Sequence, residues 1–192
     1  MSHSIPRVMS TQHPDNVHVP HFSEHEILGG ENEIEEAHYA YSILGCDEQM
    51  WDFEGKEVDN FVVKKLLTKY EAFFKEKKLG RDLRLTFRVP NPDVERAEAK
   101  ILLETLESIP RSYDAASLFY EDGIAPIFEV ILPMCTDALA INRIYHYYKD
   151  YVAGKQDKFL QGKMISEWIG TFKPETINVI PLFEDKERML NA

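Results

Sequence analysis

The chain has 192 residues, of which 44% are hydrophobic and 11% aromatic. This composition supports a sizeable buried core and excludes the disordered, collagen-like and low-complexity classes. The net charge is −11, with no basic block to neutralise a run of phosphates, so nucleic acid is not an expected partner. The most apolar window, residues 125–135, contains Glu129 and two prolines. It falls far short of the roughly 18 apolar residues that a membrane helix requires.

The amino-terminal residues MSHSIPRV lack the hydrophobic stretch of a secretion signal. Cys46 and Cys135 lie far apart in unrelated contexts, without the spacing of a metal site and without an adjacent base. We therefore expect a reducing, cytoplasmic location and no nucleophilic role for either thiol.

The first half of the chain predicts loop, helix, strand and helix in that order. Residues 1–30 show little periodic hydrophobicity and contain three prolines, which predicts extended or looped chain. Residues 32–44 carry apolar side chains three and four positions apart and precede Gly45, which predicts a helix that stops there. A short strand in EQMWDFEG, residues 48–55, and a helix over residues 58–78 follow.

The second half continues this alternation. The segment LRLTFRV, residues 83–89, alternates apolar and polar side chains and predicts a strand. The periodicity after it predicts a helix over residues 94–108, capped by Asp93. Then come a buried strand in PIFEVILPM (126–134), a helix over 137–151 and a strand in INVIPLF (177–183). Strands that alternate with helices indicate a parallel α/β sheet.

Ligands of parallel α/β folds bind at the carboxyl ends of the strands. Polar residues occupy those ends here: Asp52 with Glu54, Arg88, residues 134–137, and Glu184 with Asp185, while the upstream segment MSTQHPDN adds His13 and Asp15. If the strands belong to one barrel, a histidine, an arginine and several carboxylates converge on one pocket. Such a pocket could perform acid–base chemistry on an anionic substrate held by a divalent metal.

Each of these residues also has a purely structural interpretation. His13 can be a solvated or hydrogen-bonded loop residue, and Arg88 can pair with a neighbouring helix. Glu184 and the aspartate after it can form an acidic helix N-terminus. A carboxylate directly after an apolar strand nevertheless holds Mg²⁺ or Mn²⁺ well, so Glu184 is the preferred metal ligand.

Five segments, in the order MSTQHPDN, MWDFEGKEVD, LTFRVPNP, FEVILPM and INVIPLFED, closely resemble the N-terminal part of the archaeal-type phosphoenolpyruvate carboxylases. The resemblance extends over about residues 5–190. It implies conversion of phosphoenolpyruvate and bicarbonate to oxaloacetate and phosphate, an anaplerotic carbon fixation that depends on Mg²⁺ or Mn²⁺. It also implies an α/β fold of the (β/α)₈ TIM-barrel type that assembles as a homotetramer.

The same resemblance implies residue roles. His13 matches the histidine of the TAHPT strand of bacterial and plant relatives and would act on carboxyphosphate. Arg88 matches the arginine of their DIRQES segment and would be catalytic and bind the phosphoryl group. Glu184 matches the metal-binding glutamate of their PLFET motif. Asp52 and Glu54 lie in the segment that diverges most and would bind substrate.

A GYSDS-like strand and an HGRGG-like loop, the next motifs of the family, do not occur in this sequence. We therefore expect residues 1–192 to be the N-terminal part of a single barrel domain. They would supply about the first five β/α units and part of the active site, with no separate second domain. Two alternatives stay open: a lyase or aldolase of the phosphoenolpyruvate/pyruvate barrel group, and a non-catalytic half-barrel that assembles with a second polypeptide.

Overall fold

The computed structural model describes residues 5–12, 21–22, 30–53 and 59–191. Its strands are β1 (Met9–Ser10), β2 (Glu48–Asp52), β3 (Arg84–Arg88), β4 (Glu129–Leu132), β5 (Phe159–Leu160), β6 (Lys163–Met164) and β7 (Asn178–Pro181). Its helices are α1 (Glu31–Ser42), α2 (Val62–Lys69), α3 (Glu71–Glu76), α4 (Ala99–Tyr120), α5 (Ala138–Tyr147), α6 (Ile165–Ile169) and α7 (Lys186–Asn191). A π-helical turn, Tyr148–Ala153, and a 3₁₀ turn, Gly154–Asp157, follow α5.

The main sheet has five strands in the order β1-β2-β3-β4-β7, and every pairing is parallel. This confirms the parallel α/β sheet that the alternation of strands and helices predicts. Within the described residues, β1 and β7 each pair with one neighbour and therefore form the two edges of the sheet. Strands β5 and β6 form a separate antiparallel hairpin, in a segment for which the sequence pattern predicts no element.

One face of the sheet packs against the helices. Leu85 and Phe87 of β3 are at most 2% exposed, and Leu66 of α2 and Leu106 of α4 are completely buried in the same core. Burying a side chain of this size stabilises a fold by about 1.5–3 kcal/mol. The alternation in β3 thus places its apolar residues beneath the helices and its polar residues on the opposite face.

Helix α4 differs from its prediction at both ends. It begins at Ala99, because the preceding residues form turns in which the Asn91 carbonyl accepts hydrogen bonds from Val94 N (3.0 Å) and Glu95 N (2.7 Å). The expectation that Asp93 caps this helix is therefore wrong. The helix continues beyond the predicted end at Ser108, through Pro110, and ends at Tyr120.

The helix predicted over residues 58–78 is two helices, α2 and α3. They are separated at Tyr70, whose backbone angles, φ −122° and ψ 44°, are not helical. The Tyr70 ring stacks on His38 of α1 with 3.6 Å between ring centroids. The predicted stop after α1 is confirmed, since the helix ends at Ser42 and Gly45 adopts a left-handed φ of 69°.

None of the helices in the described part of the chain combines the length and the apolar composition needed to cross a bilayer.

Candidate functional site at the carboxyl edge of the sheet

The parallel register brings several of the predicted site residues to one end of the sheet, where the carboxyl ends of the strands lie side by side. We call this end the carboxyl edge, as distinct from the edge strands β1 and β7. Asp52, the last residue of β2, pairs in register with Arg88, the last residue of β3, and Arg88 pairs with Ile131 of β4. At the other side of β4, Leu132 pairs with Pro181 of β7. Glu184 follows β7 by three residues, so the strand order places Asp52, Arg88 and Glu184 at the same edge.

Asp52 and Arg88 are joined directly. Arg88 Nε donates to Asp52 Oδ1 at 3.0 Å, and Arg88 Nη2 donates to Asp52 Oδ2 in a second, shorter bond. The side chain of Asp52 is 6% exposed and that of Arg88 is 21% exposed. A two-point pair of this kind fixes the plane of the guanidinium as well as its position. The sequence pattern predicts that Arg88 pairs with a helix or a phosphate, and its observed partner is a neighbouring strand.

Two further hydrogen bonds fix the backbone next to the pair of Asp52 and Arg88. Asp52 N donates to Gln12 Oε1 at 2.6 Å, and Phe53 N donates to Arg88 O at 3.1 Å. Gln12 is 1% exposed, so its side chain ties the chain beyond β1 to the end of β2. The segment after β1, the end of β2 and the end of β3 are thus connected beside the guanidinium of Arg88.

Glu184 is exposed to solvent. The segment before it is attached to β4, because Leu182 N donates to Leu132 O and Cys135 N donates to Leu182 O, both at 2.9 Å. The neighbouring Asp185 accepts hydrogen bonds from Glu187 N (2.7 Å) and Arg188 N (3.3 Å). Asp185 therefore serves the start of α7, as its structural interpretation predicts, while Glu184 precedes that turn.

Among the described residues at this edge, one accessible carboxylate suits a divalent metal. Glu184 supplies an accessible carboxylate, which suits Mg²⁺ or Mn²⁺, whereas the Asp52 carboxylate is already bound to Arg88. The described residues contain no group of three or more His, Cys, Asp or Glu side chains that could hold a metal ion. Glu184 thus fits as a single ligand within the described residues, and a metal site would need further ligands beyond that part of the chain.

Two predicted site residues, His13 and Glu54, lie outside the described residues. Asp52 and Arg88 contact each other, and Glu184 lies at the same edge two strands away from Arg88. The roles assigned to all five by resemblance stay predictions.

The sequence pattern did not identify a second set of polar residues on the same face of the sheet. Glu48 accepts a short hydrogen bond from Thr86 Oγ1, and Arg84 Nη1 donates to Glu129 Oε1 at 2.6 Å. Burial raises the pKa of Glu48, the nearby Glu129 raises it further, and Thr86 and Arg84 oppose the shift. The signal was present in the alternation of polar residues along EQMWD and RLTFR.

Both cysteines are buried free thiols. Burial is the main cause that raises the pKa of Cys46 and of Cys135. A raised pKa disfavours the thiolate, which is the nucleophilic form. This shift works against a nucleophilic role for either thiol, and the expectation that neither is a nucleophile stays a prediction.

The fold and this edge define the class: an α/β protein with a parallel sheet and a candidate site at the carboxyl ends of its strands. The family described as phosphoenolpyruvate carboxylase matches residues 5–192. Two phosphoenolpyruvate carboxylases are similar over 98% of this chain: that of Methanothermobacter thermautotrophicus is 68% identical, and that of Pyrococcus furiosus is 61% identical. The chain therefore belongs to the phosphoenolpyruvate carboxylase family. It spans 39% and 40%, respectively, of the length of these two relatives.

Proposed function

We propose that this chain supplies part of the active site of an enzyme that converts phosphoenolpyruvate and bicarbonate to oxaloacetate and phosphate. The observation that carries the proposal is the Arg88 guanidinium, held by Asp52 at the carboxyl edge of a parallel sheet, in a chain of this family. The family match favours this function over the lyase or aldolase alternative.

Arg88 would bind the phosphoryl group of phosphoenolpyruvate. A guanidinium binds phosphate oxygens through planar, charge-assisted hydrogen bonds. Because Asp52 fixes the guanidinium plane before substrate arrives, little reorientation is needed when the phosphoryl group binds. In this proposal Asp52 acts through Arg88, and direct substrate binding by Asp52 or Glu54 is a separate prediction.

Glu184 would hold Mg²⁺ or Mn²⁺, with further ligands from water, substrate and other residues of the complete enzyme. When bound, the metal would stabilise the negative charge that develops on the enolate oxygen. The solvent exposure of Glu184 supports this assignment, since a ligand must be accessible to the ion.

The reaction would proceed in two stages. A bicarbonate oxygen attacks phosphorus, the bond from phosphorus to the enol oxygen breaks, and carboxyphosphate and the enolate of pyruvate form. Carboxyphosphate then releases CO₂ and phosphate, and the enolate carbon attacks CO₂ to give oxaloacetate. His13 would stabilise or deprotonate carboxyphosphate. Water must be excluded, because protonation of the enolate would give pyruvate.

We also propose that residues 1–192 form the N-terminal part of one (β/α)₈ barrel domain in a cytoplasmic homotetramer. The five parallel strands, with β1 and β7 as edges, support a barrel that further strands complete. The two free thiols support a reducing compartment. Because the chain spans about 39% of its relatives, we expect the 192-residue chain by itself to form little oxaloacetate.

The test is bicarbonate-dependent release of phosphate from phosphoenolpyruvate by the complete enzyme that contains this chain. An aldolase would require no bicarbonate. Arg88→Lys should lower kcat/KM about 100-fold, the usual scale for loss of a charge-stabilising donor. Arg81→Lys is the matched control, because Arg81 also pairs with an aspartate, Asp82, but is exposed and precedes β3. Equal activity of the two variants would contradict the role of Arg88.

His13→Asn in the same enzyme should abolish formation of oxaloacetate while phosphoenolpyruvate still binds. Unchanged carboxylation would remove His13 from the mechanism. High turnover by the 192-residue chain alone would contradict the proposal that it holds only part of the site.

A further inference from the structure

We propose that Asn91 is a positioning residue that sets the separation between Arg88 and Glu184. The inference rests on the function proposed above, in which Arg88 binds the phosphoryl group and Glu184 holds the metal ion that acts on the same substrate. Asn91 lies three residues after Arg88, in the segment that leaves β3, and it is 2% exposed. Its side chain connects that segment to the one that leaves β4.

Every hydrogen-bonding group of Asn91 is used. Its Nδ2 donates to the carbonyl oxygens of Pro133 (2.9 Å) and Met134 (3.2 Å), and its Oδ1 accepts from Asp93 N (3.1 Å). Its backbone N donates to Glu95 Oε2 at 2.7 Å. The backbone carbonyl closes the turn toward α4, as described above. A side chain with two donors and one acceptor in one plane is therefore needed at this position.

A second link continues from β4 to β7. Met134 adopts a left-handed φ of 49°, and the next residue, Cys135, donates its N–H to Leu182 O at 2.9 Å. Leu182 lies two residues before Glu184. A continuous path therefore runs from Arg88 through Asn91, the residues after β4 and Leu182 to Glu184.

This path explains why Asn91 should affect chemistry as well as stability. Arg88 ends β3 and Glu184 follows β7, and these two strands are not neighbours, since β4 lies between them. Their spacing therefore depends on the segments that join the three strand ends. A displacement of about 1 Å in a substrate-positioning group can reduce rate about 100-fold.

The test compares variants of the complete enzyme. Asn91→Asp keeps the shape of the side chain but cannot donate to the two carbonyls, and Asn91→Ser keeps one donor. We expect Asn91→Asp to raise KM for phosphoenolpyruvate and the Mg²⁺ concentration for half activation about tenfold each, equivalent to about 1.4 kcal/mol. Asn91→Ser should show a smaller change in the same direction. Asn142→Asp, the same substitution on the exposed surface of α5, should change neither value.

A double-mutant cycle with Arg88→Lys separates positioning from a purely structural effect. If Asn91 acts through Arg88, the effect of Asn91→Asp on KM should shrink to about twofold or less when residue 88 is already lysine, because interacting positions are not additive. Additive effects, or an unchanged KM in both Asn91 variants, would overturn the inference. If Asn91→Asp does not fold, the cycle with Asn91→Ser decides. If the parent enzyme shows no bicarbonate-dependent release of phosphate, the proposed function is rejected, and the inference about Asn91 falls with it.

Discussion

Asp52 and Arg88 lie directly opposite each other at the ends of two adjacent parallel strands, and the carboxylate accepts two hydrogen bonds from the guanidinium. Both side chains are largely buried, at 6% and 21% exposure. A charge removed from water in this way must be paired, and removing one partner is costly because the other stays in a poorly solvated position.

Asp52→Asn should therefore weaken substrate binding through Arg88. We expect an increase of about tenfold in KM for phosphoenolpyruvate, together with a loss of about 3 kcal/mol in stability, typical of a broken buried pair. Steady-state kinetics of the complete enzyme and its chemical denaturation measure the two effects. Asp47→Asn is the matched control, since Asp47 accepts a similar two-point pair from the exposed Arg7 before β2 begins. An equal increase in KM for both variants would contradict the assignment.

The buried carboxyl of Glu48 should make the stability of the fold depend on pH. Burial raises the pKa of its carboxyl, so the fold favours the protonated form. The stabilisation that this group contributes is complete at a pH below the ordinary pKa of a glutamate in the unfolded chain. It is lost as the pH rises through the raised pKa of the folded state. Glu48→Gln stays neutral, and its side-chain oxygen can still accept from Thr86.

We expect the melting temperature of Glu48→Gln to exceed that of the parent by about 2–4 °C at neutral pH and to approach it in acid. Thermal unfolding from pH 4 to pH 8 tests this. Glu129→Gln is the control, because it removes the carboxylate that Arg84 contacts at 2.6 Å and should lower stability at neutral pH. A parallel shift of Glu48→Gln at every pH would contradict the explanation.

Helix α4 allows a comparison of two leucines. Leu106 is completely buried, whereas Leu118 is 84% exposed on the same helix. Leu106→Ala should cost about 2–5 kcal/mol, through lost burial and the cavity it leaves. Leu118→Ala should change stability by less than about 0.5 kcal/mol. Chemical denaturation of both variants and the parent measures the difference, and similar losses would show that α4 packs on a different face.

If Glu184 is a metal ligand, its substitution should change how the activity of the enzyme depends on Mg²⁺ concentration. Glu184→Gln should raise the Mg²⁺ concentration for half-maximal activity at least tenfold, because a neutral amide is a weaker ligand for a hard cation than a carboxylate. Metal titrations of the complete enzyme measure this. Glu187→Gln changes an exposed carboxylate three residues further on, in α7, and should leave the titration unchanged. If both variants titrate like the parent, Glu184 is not a ligand.

Strands β2, β3, β4 and β7 were predictable because the signal for a strand is local. In residues 83–89 apolar and polar side chains alternate, and the structure buries Leu85 and Phe87 beneath the helices. The limits of the helices were less predictable, because tertiary contacts set them. Asp93 has the residue type of a helix cap, but the side chain of Asn91 holds it in a turn, and α4 starts six residues later.

The candidate site shows the same division. Arg88 and Glu184 could be identified as candidates because each is a polar residue at the end of an apolar strand. That pattern requires no information about residues distant in the sequence. The partner of Arg88 could not be predicted, because 36 residues separate it from Asp52 and the alternative of a helix partner satisfied the same pattern. The role of Asn91 could not be predicted for the same reason, since its partners at Pro133 and Met134 are more than 40 residues away.

By itself, the sequence determined the parallel α/β class, the alternation of β2, β3, β4 and β7 with helices, and the family, because periodicity and motifs are properties of neighbouring residues. Only the tertiary structure decided which strands are adjacent, and therefore that Asp52 orients Arg88 and that Asn91 connects the ends of β3 and β4. The physical reason is that hydrogen bonds and ion pairs depend on distances of a few ångströms between groups far apart in the chain, and the register of the parallel sheet sets those distances.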